Sequence, residues 1–280
     1  AWQRHGAGPR DGHVRKARPM GASRRWSTKC VDRRINRGWG WIVSKLGASQ
    51  HSKVYDFGAK VQFGKTSGDY VTHRAGFPEA FFSALQQRGW AGAGQRALDV
   101  GTGTGTVARG LAGLGMDVTG IDPSSDMLVA AQQLSEQITF LKCRAEHLPF
   151  SDDAFDLVTA GQCWHWFDRA QVASEIKRIL RPNGRIVIAH FDWLPLNANL
   201  VSATEALILA FNPEWAAAGG TGIYPTWLTD LADAGFKSIE TMSFDIDQPY
   251  TPEAWRGRIR ASAGVAASLP PEDVVRFDTE

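Results

Sequence analysis

The stretch ALDVGTGTGTVARGLA, residues 97–112, carries the residue types and spacing that bear most directly on chemistry. Gly101, Gly103 and Gly105 alternate after a short apolar run, and Asp99 stands two residues before the first of them. Glycines leaving a buried strand let backbone N–H groups and a helix N-terminus come close to a ligand. Asp122 ends the next apolar run, 21 residues after Gly101. At that spacing a carboxylate can accept both hydroxyls of a ribose, although the same residue could cap a helix beginning at 124. The pattern points to a cofactor containing a nucleoside. A dinucleotide fingerprint would place glycine at position 106, where this chain has Thr106. A carboxylate at 99 would repel a pyrophosphate and would favour an ammonium group.

A second constellation is CWHWFD, residues 163–168. His165 between two tryptophans could act as a general base, or it could be a neutral histidine packed by the rings. Trp164 and Trp166 could stack on a substrate or a cationic centre, or fill the gap between sheet and helix. Asp168 reads as the cap of a helix over 169–180. Cys30, Cys143 and Cys163 are odd in number and lack metal-ligand spacing, so reduced thiols, a cytoplasmic setting and no metal site are expected.

These residues must be held by regular elements. Strands are expected at 96–100, 116–122, 138–143, 155–161, 185–191 and 236–246. Helices are expected after Pro78, with Phe81, Phe82 and Leu85 on one face, and at 106–115, 124–136, 170–180, 225–235 and from 251. Pro182 and Gly184 stop the helix at 170–180. Residues 192–224 interrupt the alternation as an insertion with an amphipathic helix. Strands that alternate with helices of about ten residues imply right-handed β-α-β units. The expected fold class is α/β: a doubly wound, Rossmann-like, mostly parallel sheet.

The net charge of +2 conceals an asymmetry. Residues 1–53 hold 13 Lys or Arg against Asp11 and Asp32, while the remainder holds 18 basic and 27 acidic residues. Such an arm could bind nucleic acid. Its Arg-, Gly- and Ser-rich composition without hydrophobic period reads more simply as a disordered or non-native segment over 1–54. No run of about 18 apolar residues is present, so a membrane partner is not expected.

The motifs LDVGTGTG, GIDPSSDML, AEHLPFSDDAFDLV and RILRPNGRIVI, in this order and spacing, resemble the class I S-adenosylmethionine-dependent methyltransferases. HWFD after the fourth strand resembles the small-molecule, type 11-like branch. The resemblance covers residues 55–280. It implies a methyltransferase domain there, truncated before a final antiparallel strand, with S-adenosylmethionine as cofactor. Asp99 and the loop of Gly101, Thr102 and Gly103 would hold its methionine portion, and Gly105 would allow close helix packing. Asp122 would bind the ribose. Pro123, Ser124, Ala145 and Glu146 would border the adenine, with Arg144 standing where many relatives have Asp. Gln162 would lie under the sulfonium. Tyr70 and Arg74 match a segment that closes over the cofactor, though they read as readily as packing and surface groups. The implied reaction is methyl transfer to an O, N or C nucleophile of a small molecule. An NAD-dependent oxidoreductase and a non-catalytic binding relative are the alternatives. The first lacks a Tyr-x-x-x-Lys or a matching acid-base set.

Overall fold

The structure is a computed structural model that describes residues 76–280, all within one unit of the chain, Lys53–Glu280. The segments expected to alternate do so. Helix α1 (Glu79–Gln87) leads to β1 (Arg96–Val100), α2 (Thr106–Gly113), β2 (Asp117–Asp122), α3 (Ser125–Leu134) and β3 (Thr139–Lys142). Then come β4 (Phe155–Gly161), a one-turn 3-10 helix (Trp164–Trp166), α4 (Arg169–Ile179) and β5 (Leu180–Ala189). Four more helices follow: α5 (Leu200–Phe211), α6 (Pro225–Asp233), α7 (Pro252–Arg260) and α8 (Pro271–Thr279).

The five strands form one parallel sheet in the order β3-β2-β1-β4-β5. The order reverses beside β1, and that is where open α/β sheets form ligand clefts. The central strands are apolar on both faces because helices cover both. On one face Leu98, Val100, Val158 and Ala160 pack with Trp164, Val172 and Ile176. On the other Ala97 and Leu157 pack with Phe81, Leu85, Val107 and Leu111. Gly110 allows α1 to seat on α2: a Cβ there would lie 2.0 Å from the ring of Phe82.

Capping follows the sequence closely. Ser124 accepts from Met127 N at 3.4 Å, Asp168 from Gln171 N at 3.2 Å, and Thr251 from Ala254 N at 3.1 Å. The strand expected at 185–191 begins earlier. Leu180 already pairs with Phe155, and the ladder resumes at Arg185 opposite Leu157 after a register shift. Asn183 takes φ +68° inside that shift, so the Pro-Asn-Gly turn becomes a bulge within the strand.

One expected element is corrected. Residues 236–246 form no strand, and the sheet of the described residues has five strands, not six. Their alternation suits a half-buried strand, but no ladder partner meets them, and Ile239, Met242 and Phe244 stay exposed. α5, α7 and α8 gather around a smaller core of Ile208, Ile259, Val265 and Phe277.

Candidate active site

The glycine turn leaves β1 in a left-handed path, with φ +63° at Gly101, +56° at Gly103 and +78° at Gly105. Two of these positions also lack room. A Cβ on Gly101 would lie 2.8 Å from Cys163 Cβ, and one on Gly105 would lie 3.1 Å from the ring of Phe140. Gly103 differs: no atom of the described residues would come within 4 Å of its Cβ, so the tip of the loop is open among those residues. Thr102 N donates to Ile121 O at 2.9 Å, which ties the turn to β2.

Asp122, at the end of β2, meets this loop. Its Oδ2 accepts from Gly103 N at 2.9 Å and its Oδ1 from Ser124 N at 2.8 Å. Burial pushes its pKa up against these two backbone donors. Asp99 lies deeper. It is 1% exposed, and its oxygens accept from Thr102 Oγ1 at 2.6 Å and Thr159 Oγ1 at 2.7 Å. Burial raises it to about 6, despite those hydrogen bonds. Both oxygens are engaged by threonines, so Asp99 is placed to brace the loop from below. Cys163 is buried against the same turn and donates to Val100 O at 3.1 Å. Burial, with Asp99 and Asp122 nearby, drives its thiol pKa well up, so it stays a neutral packing group.

The loop after β3 carries Ala145 and Glu146, both buried. Glu146 Oε2 pairs with Arg144 Nε at 3.3 Å and its Oε1 accepts from Asp168 N at 3.3 Å. The carboxylate therefore stitches this loop to the start of α4. Pro123 is exposed at the mouth of β2. Tyr70 and Arg74 lie outside the described residues. Among the described residues no three of His, Cys, Asp or Glu come together to hold a metal ion.

The family described as "methyltransferase domain" matches residues 98–188. This span holds the loop, Asp122, Glu146 and the turn after β4. An uncharacterized methyltransferase of Mycobacterium tuberculosis is 35% identical over 126 residues, 45% of this chain and 50% of the relative. A demethylmenaquinone methyltransferase of Beutenbergia cavernae is 37% identical over 109 residues, 38% of this chain and 45% of the relative. The solved structure of a putative methyltransferase from an antibiotic biosynthesis pathway of Anabaena variabilis matches with a TM-score of 0.54. It is 22% identical and covers 71% of this chain and 82% of its own. Residues 98–188 thus match the methyltransferase domain family by sequence. The chain spans about half the length of the curated relatives it matches.

Within the matched span, β4 ends just before Gln162, which takes φ +65°. Its side chain turns to Phe191 O, at 2.6 Å from Nε2. His165 is half-buried on the one-turn helix, its ring 4.5 Å from that of Trp166 and 5.2 Å from that of His190. His190, Asp192 and Tyr224 form a polar cluster at this end of the sheet that sequence reasoning missed. The signal was present as His-x-Asp just past β5, the same strand-end position that singles out Asp122.

Proposed function

We propose that this chain binds S-adenosylmethionine and transfers its methyl group to a nucleophile on a small molecule. The observation that carries the reading is the meeting of Asp122 with Gly103 at 2.9 Å, beside a loop tip where no described residue would approach a Cβ on Gly103. These residues fit the cofactor: the left-handed glycine turn brings backbone close to the end of β2, and each Asp122 oxygen, already accepting one backbone N–H, keeps a lone pair for one of two vicinal hydroxyls. When bound, the cofactor supplies a methyl carbon made electrophilic by a positively charged sulfur.

In this reading Gly101, Thr102 and Gly103 line the methionine end, and Asp99 acts on it through Thr102. Asp122 holds the ribose, with Pro123, Ala145 and Glu146 around the base. Gln162 lies below the sulfur, His165 borders the substrate side, and Tyr70 and Arg74 cover the cofactor. The domain is proposed to run over residues 55–280, with 192–224 as its insertion. The protein's main work is alignment and exclusion of water, because the cofactor carries the reactive carbon.

A small organic substrate is supported by the family match and by the aromatic groups near His165. No helix among the described residues is long and apolar enough to cross a membrane. A cytoplasmic site of action with Cys143 and Cys163 reduced is part of the proposal. Calorimetry with S-adenosylhomocysteine tests the reading. Saturable one-site binding is expected, and a folded chain that takes up no heat over the micromolar to millimolar range refutes it.

A further inference from the structure

The polar cluster beyond β5 is not used by the cofactor reading. Gln162 grips the chain on both sides of His190: its N donates to Ala189 O at 2.9 Å and its Nε2 to Phe191 O at 2.6 Å. His190 is thereby fixed where β4 and β5 end together, next to the residue placed below the sulfur. Its Nδ1 lies 3.1 Å from Asp192 Oδ1. The Tyr224 hydroxyl donates to Asp192 Oδ2 and lies 3.2 Å from the same Nδ1.

The proton positions follow from counting. Tyr224 has one proton, and Asp192 accepts it. Burial opposes ionisation of Asp192, yet its contacts with His190 and Tyr224 outweigh that and hold the carboxyl below its usual range. Burial and the adjacent carboxylate push Tyr224 up, so its hydroxyl keeps its proton. In the neutral imidazole, an ionised Asp192 at Nδ1 takes the ring N–H there and leaves the lone pair on Nε2. That Nε2 is buried and has no hydrogen-bond partner among the described residues. The side chain is only 9% exposed. Leaving a buried polar atom unpaired is costly, so such atoms in folded proteins are rare. The same arrangement, an oriented imidazole with its second nitrogen free to accept, is what a general base requires.

The surroundings are flat and aromatic. The His190 ring lies 4.7 Å from that of Tyr224, 4.9 Å from Trp227 and 5.2 Å from His165. Tyr224 and Trp227 stack at 3.9 Å and 5°. The Phe191 ring lies 6.5 Å from that of Phe77.

We propose that His190 is the general base of the methyl transfer, that Asp192 and Tyr224 are its positioning residues, and that the substrate is an aromatic hydroxyl compound. This rests on the methyltransferase reading above and deepens it. The base is placed at His190 rather than His165 because the orphaned ring nitrogen is on His190. In the step, the substrate O–H bond breaks and its proton goes to Nε2. The pair left on oxygen bonds to the methyl carbon, and the pair of the broken carbon–sulfur bond stays on sulfur, which leaves as a neutral thioether. His190 then returns the proton to water. A free amine would need no such base; a phenol does.

Three variants of the full chain test this: His190→Gln, Asp192→Asn and Tyr224→Phe. Nitrogen-15 NMR of the imidazoles, with S-adenosylhomocysteine present, should show His190 protonated at Nδ1 and accepting at Nε2. Asp192→Asn should mix the two tautomers. Against a panel of phenols, His190→Gln should lose at least 100-fold in turnover at pH 7. The lost rate should return about tenfold per pH unit as the phenolate forms unaided, while affinity for S-adenosylhomocysteine stays within threefold. Asp192→Asn should lower kcat and leave KM unchanged. His165, Asp192 and Tyr224 all face His190, so the profiles are compared with those of the same variants. A tautomer protonated at Nε2 overturns the proposal, as does a His190→Gln enzyme within threefold of the parent. A chain that binds the cofactor analogue but methylates only amines, or none of the phenols, overturns the substrate class. Failure to bind the analogue at all refutes the methyltransferase reading instead, and the tautomer measurement still decides the His190–Asp192 pair.

Discussion

The carboxylate of Asp122 accepts from the backbone N–H of Gly103 at 2.9 Å, joining the end of β2 to the tip of the loop that leaves β1. One acid thus serves the loop that would hold the methionine end and the position where a ribose would lie. Asp122→Ala removes an ionised acceptor of two backbone donors, a contribution of about 1.5–3 kcal/mol for hydrogen bonds to a charged group. Affinity for S-adenosylhomocysteine should fall roughly 10- to 100-fold by calorimetry. Asp122→Asn keeps one acceptor oxygen and should fall between. Equal affinity in all three proteins would remove Asp122 from the cofactor site.

Gly101 and Gly103 share a left-handed backbone but differ in surroundings, which separates folding from binding. Gly101→Ala meets Cys163 Cβ at 2.8 Å and Sγ at 2.9 Å. Left-handed strain of about 1–2 kcal/mol and overpacking of about 1–3 kcal/mol then combine. Urea unfolding should show a loss of roughly 2–4 kcal/mol, partly recovered when Cys163→Gly is added. Gly103→Ala meets nothing within 4 Å among the described residues, so only the strain applies and the fold should hold. Its methyl instead projects into the open side of the loop, and cofactor affinity should fall more than stability does.

The residues that organise this corner were legible because each is specified locally. β1 and β4 read as buried strands, and Ser124, Asp168 and Thr251 cap helices as their sequence context dictates. What escaped depended on partners distant in the chain. The alternation of residues 236–246 shows fitness for a sheet but cannot supply a neighbour, and the segment pairs with nothing in the described residues. Leu180 joins the sheet before the Pro-Asn-Gly turn because Phe155 is there to receive it. Asp99 was expected to face an ammonium group, and its spacing gave no hint that Thr102 and Thr159 would take both oxygens. The role of His190 becomes visible only when Tyr224, 34 residues on, closes over Asp192.

The burial of Asp99 has a consequence for stability against pH. Its pKa rises from 3.8 to about 6 on folding. Between these values the folded chain binds more protons than the unfolded one, so stability falls as pH rises through the window and the loss is complete above it. The shift corresponds to at most about 3 kcal/mol at 1.36 kcal/mol per unit. Asp99→Asn retains an acceptor for one threonine and removes the ionisation. Unfolding free energies of the two proteins, measured from pH 4 to pH 8, should diverge in favour of Asn as pH rises. A constant difference across that range would show that Asp99 does not titrate there.

Trp164 links the candidate site to the helical layer. It is fully buried, and its Nε1 donates to Asp230 Oδ2 at 3.2 Å. Asp230 also pairs with Arg169 Nε at 3.0 Å, so α6 is pinned to the start of α4 through one carboxylate. Trp164→Ala should cost about 3–5 kcal/mol, the usual range for emptying a large aromatic site. Trp164→Phe keeps most of the packing and loses only the indole donor, while Arg169 still satisfies Asp230, so about 1–2 kcal/mol is expected. Asp230→Ala should cost a similar amount because it strands the buried indole N–H. In Trp164→Phe the same replacement should cost less, since no stranded donor remains. A double-mutant cycle by urea unfolding reads this coupling directly, and strict additivity would mean the indole–carboxylate contact is not formed. Because Trp164 begins the turn that carries His165, the phenylalanine variant should also broaden the imidazole NMR signal of His165.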